Sequence, residues 1–314
     1  DGECLTALVL QPQLAATKGA FALWCHGDSA IVTWGDARFG GDSSAVRDQL
    51  RGVLQIQATS GGAFAAILED GSVVTWGSAA YGGDNSSVRD QLRGVQQIHV
   101  TSEAFAAILA DGSVVTWGDE DFGGDSSAVQ DQLRGVQQIQ ATGSAFAAIL
   151  EDGSVVTWGS AGLGGDSQAV QDQLKGVMQI QASHWAFAAI LADGSVVTWG
   201  DEDFGGDSSA VQDQLRGVQQ IQATERAFAA ILADGSIVTW GDAGEGGDSW
   251  AVRDQLKGVQ QIQATGAAFA AVREDSGRDS SAVRDHLRGV YSRCVCRLVR
   301  PELSQESSWL ELPS

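Results

Sequence analysis

The chain has 314 residues, 43% of them hydrophobic, with 40 Asp and Glu against 19 Lys and Arg and a formal net charge of −21. That is too apolar for a disordered acidic tail and long enough for one large domain or two ordinary ones. The charge excludes a phosphate-binding surface, which needs clustered Lys and Arg, so no nucleic acid is expected; a protein partner with a basic surface fits better.

Two further classes are set aside. No stretch approaches the ~20 apolar residues that cross a bilayer, so no membrane span is expected. The cysteines, Cys4, Cys25, Cys294 and Cys296, are too few and scattered for a disulfide framework. A cytoplasmic or nuclear setting is favoured. The chain opens on Asp1 rather than Met, which leaves room for a preceding segment.

In chain order, Asp1-Gly-Glu-Cys-Leu-Thr6 is similar to the Asp-Gly-Ser-Val-Val-Thr found further on, and residues 9–17 are similar to residues 53–59. Then a beat begins. Thr-Trp-Gly recurs with its indoles at Trp34, Trp76, Trp117, Trp158, Trp199 and Trp240, spaced 42, 41, 41, 41 and 41 residues apart. A fixed period of this size marks stacked supersecondary units, and 40–45 residues suits a propeller blade. Within the type unit, Val136–Thr142 reads as a strand and Ala145–Leu150 as a second. Asp152-Gly153 reads as a two-residue hairpin turn, because Gly accepts positive φ. Val155–Trp158 alternates as a third strand, with Val156 and Trp158 on one face. The six indoles are expected to fill the seams between neighbouring units. Ala145, Ala147 and Ala148 suit strands crowded near a propeller axis, though an open solenoid could use them too.

The fourth segment, Asp125–Gly135, predicts a helix of about two turns, with Ser127 as cap, Val129 and Leu133 at i,i+4, and Gly135 as stop. A propeller blade would usually place an outermost strand there instead. Residues 104–142 and 186–224 are identical over 39 positions, the mark of duplication rather than packing. The seventh unit lacks its Thr-Trp-Gly strand after Phe269. The first residues could supply that strand and close the ring. The predicted organisation is a repeat domain over 1–289, six full units and one split unit, and an irregular tail over 290–314 made locally basic by Arg293, Arg297 and Arg300.

The run from Ala141 through Asp152-Gly-Ser-Val-Val-Thr-Trp-Gly159 resembles a repeat of the regulator of chromosome condensation family, and the resemblance extends over roughly residues 15–290. It implies a mainly β fold, a seven-bladed β-propeller. Phe146 stands where the family carries His, and the family's Gly-Gln-Leu-Gly turn is reduced to Gly123-Gly124-Asp125. Nucleotide exchange on a small GTPase, an activity within the family, uses a hairpin wedge, and no unit here has an insertion longer than one residue. Photoreceptors of this fold use a Gly-Trp-Arg-His-Thr motif, of which only Trp185 has a counterpart. HECT-type ubiquitin ligases carry such propellers as accessory regions, and this chain has no catalytic domain of that kind.

No catalytic constellation emerges. His26, His99, His184 and His286 lack metal spacing, and Asp119–Asp125 offers a calcium-like start but Gln130 where a bidentate Glu is needed. No enzyme activity, cofactor or metal is expected. What varies between units is a pair before Ala-Phe, Ser102-Glu103 in one twin block and His184-Trp185 in the other, with Glu225-Arg226 following. A second variable pair follows Trp-Gly and includes Arg38-Phe39, Ala80-Tyr81 and Asp203-Phe204. Loops on a rigid scaffold carry recognition. The expected binding rim is therefore Glu103, His184, Trp185, Glu225 and Arg226, with Arg38 and Tyr81. The function read from the sequence is a monomeric protein-interaction scaffold. The alternative is a GTPase regulator or a ubiquitin-ligase accessory propeller.

Overall fold

Short alternating runs between glycine turns can only bury both faces if sheets stack on sheets. The computed structural model describes residues 12–25 and 31–273, and there the 41-residue beat folds into six three-stranded antiparallel sheets followed by one two-stranded sheet. Strand order within each sheet is sequential. The type unit has strands Val136–Ala141, Ala145–Leu150 and Val155–Gly159. The first sheet comprises Pro12–Ala16, Ala20–Cys25 and Val32–Gly35. The seventh comprises Val259–Ala264 and Phe269–Arg273, without a third strand among the described residues. The mainly β fold of repeated sheets expected from the period is observed, and the sheets number seven, as the resemblance implies.

The middle strand explains why so many alanines are needed. Ala145, Ala147 and Ile149 face the following sheet, in one cluster with Phe187, Ala189, Val197 and Trp199. Phe146 and Ala148 face the preceding sheet, in a cluster with Ala104, Ala106 and Ile108. Every residue of the middle strand is thus committed to a seam, and large side chains on one face are met by small ones on the other. A register shift between Val136 and Gln138 helps. The extra residue puts Val136 and Ile139, three apart, into the same cluster.

Each seam is also hydrogen-bonded. Trp158 Nε1–H donates to the Gly123 carbonyl of the preceding unit at 3.1 Å, and its ring stacks on Phe146 at 5.1 Å between centroids. Trp76, Trp117, Trp199 and Trp240 repeat the bond to Gly40, Gly82, Gly164 and Gly205. Gly123 has φ +92 and an added Cβ would lie 2.7 Å from the Phe146 ring, so glycine is the residue that lets this carbonyl approach. Trp34 differs: it stacks on Phe21 but is 43% exposed, with no preceding sheet among the described residues.

Two local expectations are corrected. The hairpin at Asp152-Gly153 is a three-residue loop: Leu150 N–H donates to Ser154 O, Gly153 N–H to Leu150 O, and Gly153 takes φ +75. The fourth segment is neither α-helix nor strand. Val129 N–H donates to Ser126 O, Gln132 N–H to Val129 O and Leu133 N–H to Gln130 O, an i to i+3 pattern. Ser127 does not cap; its own N–H donates to Asp125 Oδ1. The pattern does not depend on one side chain, because the units with Arg47 and Arg253 at the Gln130 position share it. Gln130 Nε2 donates to Val114 O and Gln130 Oε1 accepts from Ser126 Oγ, which ties the segment across the third strand while Leu133 drops into the core.

The strand proposed for residues 1–8 and the tail over 290–314 lie outside the described residues. Among the described residues, none of the strand contacts that recur between neighbouring sheets joins the seventh sheet to the first.

Candidate functional site

The loop between first and second strands is held by its neighbours before any side chain acts. Gly61 N–H donates to Ser102 O, Ser102 N–H to Gly143 O, Gly143 N–H to His184 O, His184 N–H to Glu225 O and Glu225 N–H to Gly266 O, at 2.7–2.9 Å. Inside each loop a hydroxyl closes the turn: Thr142 Oγ1 accepts from the N–H of Ala145 and donates to Leu163 O. The variable pairs therefore project from a bonded ladder, which lowers the ordering cost of binding.

The structure brings four of the seven expected rim residues together. His184 and Trp185 lie 5.4 Å apart, and Trp185 lies 4.3 Å from the Phe204 ring. The Arg226 guanidinium lies over that ring, 4.3 Å from its centroid, and reaches Asp242 at 3.7 Å. Glu225 stands exposed beside Gly266, where an added Cβ would meet its Oε1 at 3.1 Å. Buried Arg226 Nε and Glu245 Oε2 have no hydrogen-bond partner. A shallow, open surface hollow lies alongside, lined among others by Thr142, Gly143, His184, Thr224, Glu225 and Gly266.

The other three are placed apart from this group. Glu103 and Tyr81 both lie over Gly61, where an added Cβ would fall 3.1 Å from Glu103 Cγ and 2.9 Å from Tyr81 Cγ. Burial pushes the Glu103 carboxyl up, the Asp119 carboxylate adds to this, and Lys18 opposes it. Arg38 is exposed and pairs with Asp36 at 2.7 Å, holding that carboxyl below its usual range. The sequence reasoning missed Asp242 and the central place of Phe204. Phe204 sits in a duplicated block, so nothing in its own surroundings in the chain separates it from Phe122.

No group of three or more His, Cys, Asp or Glu side chains among the described residues could hold a metal ion. No helix among them is long and apolar enough to cross a membrane.

No family model matches the sequence, and no curated protein matches it. Solved structures overlap it in part. Human WBSCR16 aligns with a TM-score of 0.46 and 18% identity over 75% of this chain and 77% of that one. Prp20p from Saccharomyces cerevisiae, described with its binding to Gsp1p and histones, gives 0.45 and 17% over 74% and 72%. The CRINKLY WD40 ectodomain of the Arabidopsis thaliana receptor kinase ACR4 gives 0.42 and 14% over 81% and 87%. What the described residues show is the fold itself: the repeat motif builds a succession of seven stacked antiparallel sheets.

Proposed function

We propose that the chain is a non-enzymatic protein-interaction scaffold whose partner docks on the rim at His184, Trp185, Glu225 and Arg226. The supporting observation is a half-buried Trp and Arg packed against one phenylalanine, each 4.3 Å from its ring, beside a shallow open surface hollow lined by His184 and Glu225. Trp and Arg are the side chains that most often anchor interfaces, and here both are pre-positioned. The surrounding charge is negative, from Glu225, Asp242 and Glu245, which favours a partner presenting Lys or Arg.

The test compares partner capture by the wild-type chain with two variants. Trp185→Ala with Arg226→Ala removes the stack. His184→Ala with Glu225→Lys changes only exposed side chains. Loss of the same captured protein with both variants is expected; equal recovery with both sinks the reading.

A further inference from the structure

The hairpins between second and third strands, at the end of each sheet away from the rim, repeat one reactive dipeptide. Asp-Gly stands there at Asp70, Asp111, Asp152, Asp193 and Asp234, and each of these aspartates is exposed. A glycine carries no side chain to shield its nitrogen, so that nitrogen can attack the carboxyl carbon of the aspartate before it. A new N–C bond closes a five-membered succinimide, and one water leaves. Water then adds back and opens the ring. Opening at the side-chain carbonyl restores aspartate. Opening at the main-chain carbonyl leaves isoaspartate, whose backbone runs through the side-chain carboxyl and is one methylene longer. Water is the only co-reactant, and the net mass change is zero.

The turns are built against this reaction. Ser154 donates to Asp152 Oδ1 twice, from its N–H at 2.9 Å and from its hydroxyl at 2.6 Å. Ser72, Ser113, Ser195 and Ser236 repeat both bonds. A short hydroxyl-to-carboxylate bond is a strong one and favours the ionised carboxylate, which is a poor electrophile. Two donors on one residue also keep the carboxyl from turning onto the glycine nitrogen. That nitrogen is itself engaged, since Gly153 N–H donates to Leu150 O at 2.9 Å.

The same turns join the sheets. Gly153 O accepts from Val177 N–H of the following sheet at 2.9 Å, and an added Cβ on Gly153 would lie 2.9 Å from Gly176 Cα. Gly71, Gly112, Gly194 and Gly235 accept in the same way from Val95, Val136, Val218 and Val259. An extra methylene just ahead of such a glycine has no room to be absorbed.

We propose that the five Asp-Gly hairpins are isomerisation sites held shut by the serine that follows the glycine, and that isoaspartate at any one of them opens the seam to the next sheet. A turn reacts only when its serine bonds are broken, and the lengthened product does not remake the bond from Gly153 to Val177. Isomerisation is then a one-way mark of a seam that has opened.

The test ages the full chain, Ser154→Ala and Ser154→Thr in warm neutral buffer. Peptide mapping follows isoaspartate at Asp70, Asp152 and Asp234, the three turns outside the identical blocks. Ser154→Ala should raise the rate at Asp152 about tenfold, the scale of one hydrogen bond to a charged group, and leave Asp70 and Asp234 at the wild-type rate. Ser154→Thr keeps the hydroxyl and should match wild type at all three. In the isomerised chain, amide exchange should quicken at Val177 and not at Val95. An unchanged rate at Asp152 in Ser154→Ala, or an equal rise at all three turns, overturns the guarding role. So does a folded wild type that isomerises as fast as it does in urea. Unaltered exchange at Val177 after isomerisation overturns the link to the seam.

Discussion

Phe122 and Phe204 occupy the same place in two identical blocks, yet Phe204 is 8% exposed while Phe122 is only half-buried. The difference comes from outside the blocks: Trp185 and Arg226 close over Phe204, whereas Glu103 and Ser144 hold the corresponding positions beside Phe122. Single residues here act through the neighbouring unit, and substitutions should report it. Trp158→Phe removes one hydrogen bond across a seam and should cost about 1 kcal/mol, where Trp158→Ala should cost about 3–5 kcal/mol. Trp34→Ala should cost about 1 kcal/mol or less, because its face is open. Urea unfolding of the three variants checks the ranking. Glycine divides the same way. Gly123→Ala drives a Cβ to 2.7 Å from the Phe146 ring at φ +92 and should lower the melting temperature by many degrees, while Gly162→Ala meets nothing within 4 Å and should leave it unchanged or slightly higher. His99 replaces the Gln found at positions 57, 140 and 181, and burial pushes its imidazole below its ordinary value. The folded chain therefore resists a proton that the unfolded chain accepts below about pH 6.5, and stability present above that pH is lost as pH falls through it. His99→Gln should flatten the melting temperature between pH 7.5 and 5.5; an unchanged pH slope would contradict the burial.

At the scale of elements, strands and turns follow different rules of legibility. The three strands of each blade were readable because alternation, Asp-Gly punctuation and the Trp-Gly stop agree with one another. The fourth segment was not, because Ser127, Val129 and Leu133 satisfy a helix pattern locally. What overrides it is not one side chain, since the units with Arg47, Arg89 and Arg253 at the Gln130 position keep the same i to i+3 bonds; the shared feature is a leucine, Leu50, Leu92, Leu133 or Leu256, buried against the sheets, a contact invisible to any local window. The rim was legible as a set of variable positions, but not as a cluster. Nothing in the order of residues says that Phe204 packs against both Trp185 of its own unit and Arg226 of the next. The turns make their own expectation. At Asp70, Asp111, Asp152, Asp193 and Asp234 a serine hydroxyl, and then a backbone N–H, hold the carboxyl below its usual range. A carboxylate lowered in the folded state adds stability above about pH 3.9 that is lost as pH falls through its folded value. Replacing the five by Asn should shrink the fall in melting temperature between pH 5 and pH 2.5.

Across the whole molecule, stability is a sum over seams rather than the property of one core, since six separate hydrophobic clusters each straddle two adjacent sheets. Such a chain has nearest-neighbour energetics, and its ends are its weakest points. The period announced that architecture, and the truncated seventh unit announced that one end would be irregular. The exposure of the first sheet is not legible in the sequence, because Trp34 carries the same Thr-Trp-Gly signature as its buried counterparts and differs from them in having no preceding sheet among the described residues. The most direct measurement of the seam is hydrogen exchange at the indole N–H groups of the chain, read by nitrogen-15 NMR with each tryptophan assigned. Trp76, Trp117, Trp158, Trp199 and Trp240 should exchange slowly, and Trp34 and the exposed Trp250 quickly. Five indoles exchanging as fast as Trp250 would mean that the sheets do not stack through them, and the architecture described above would be wrong.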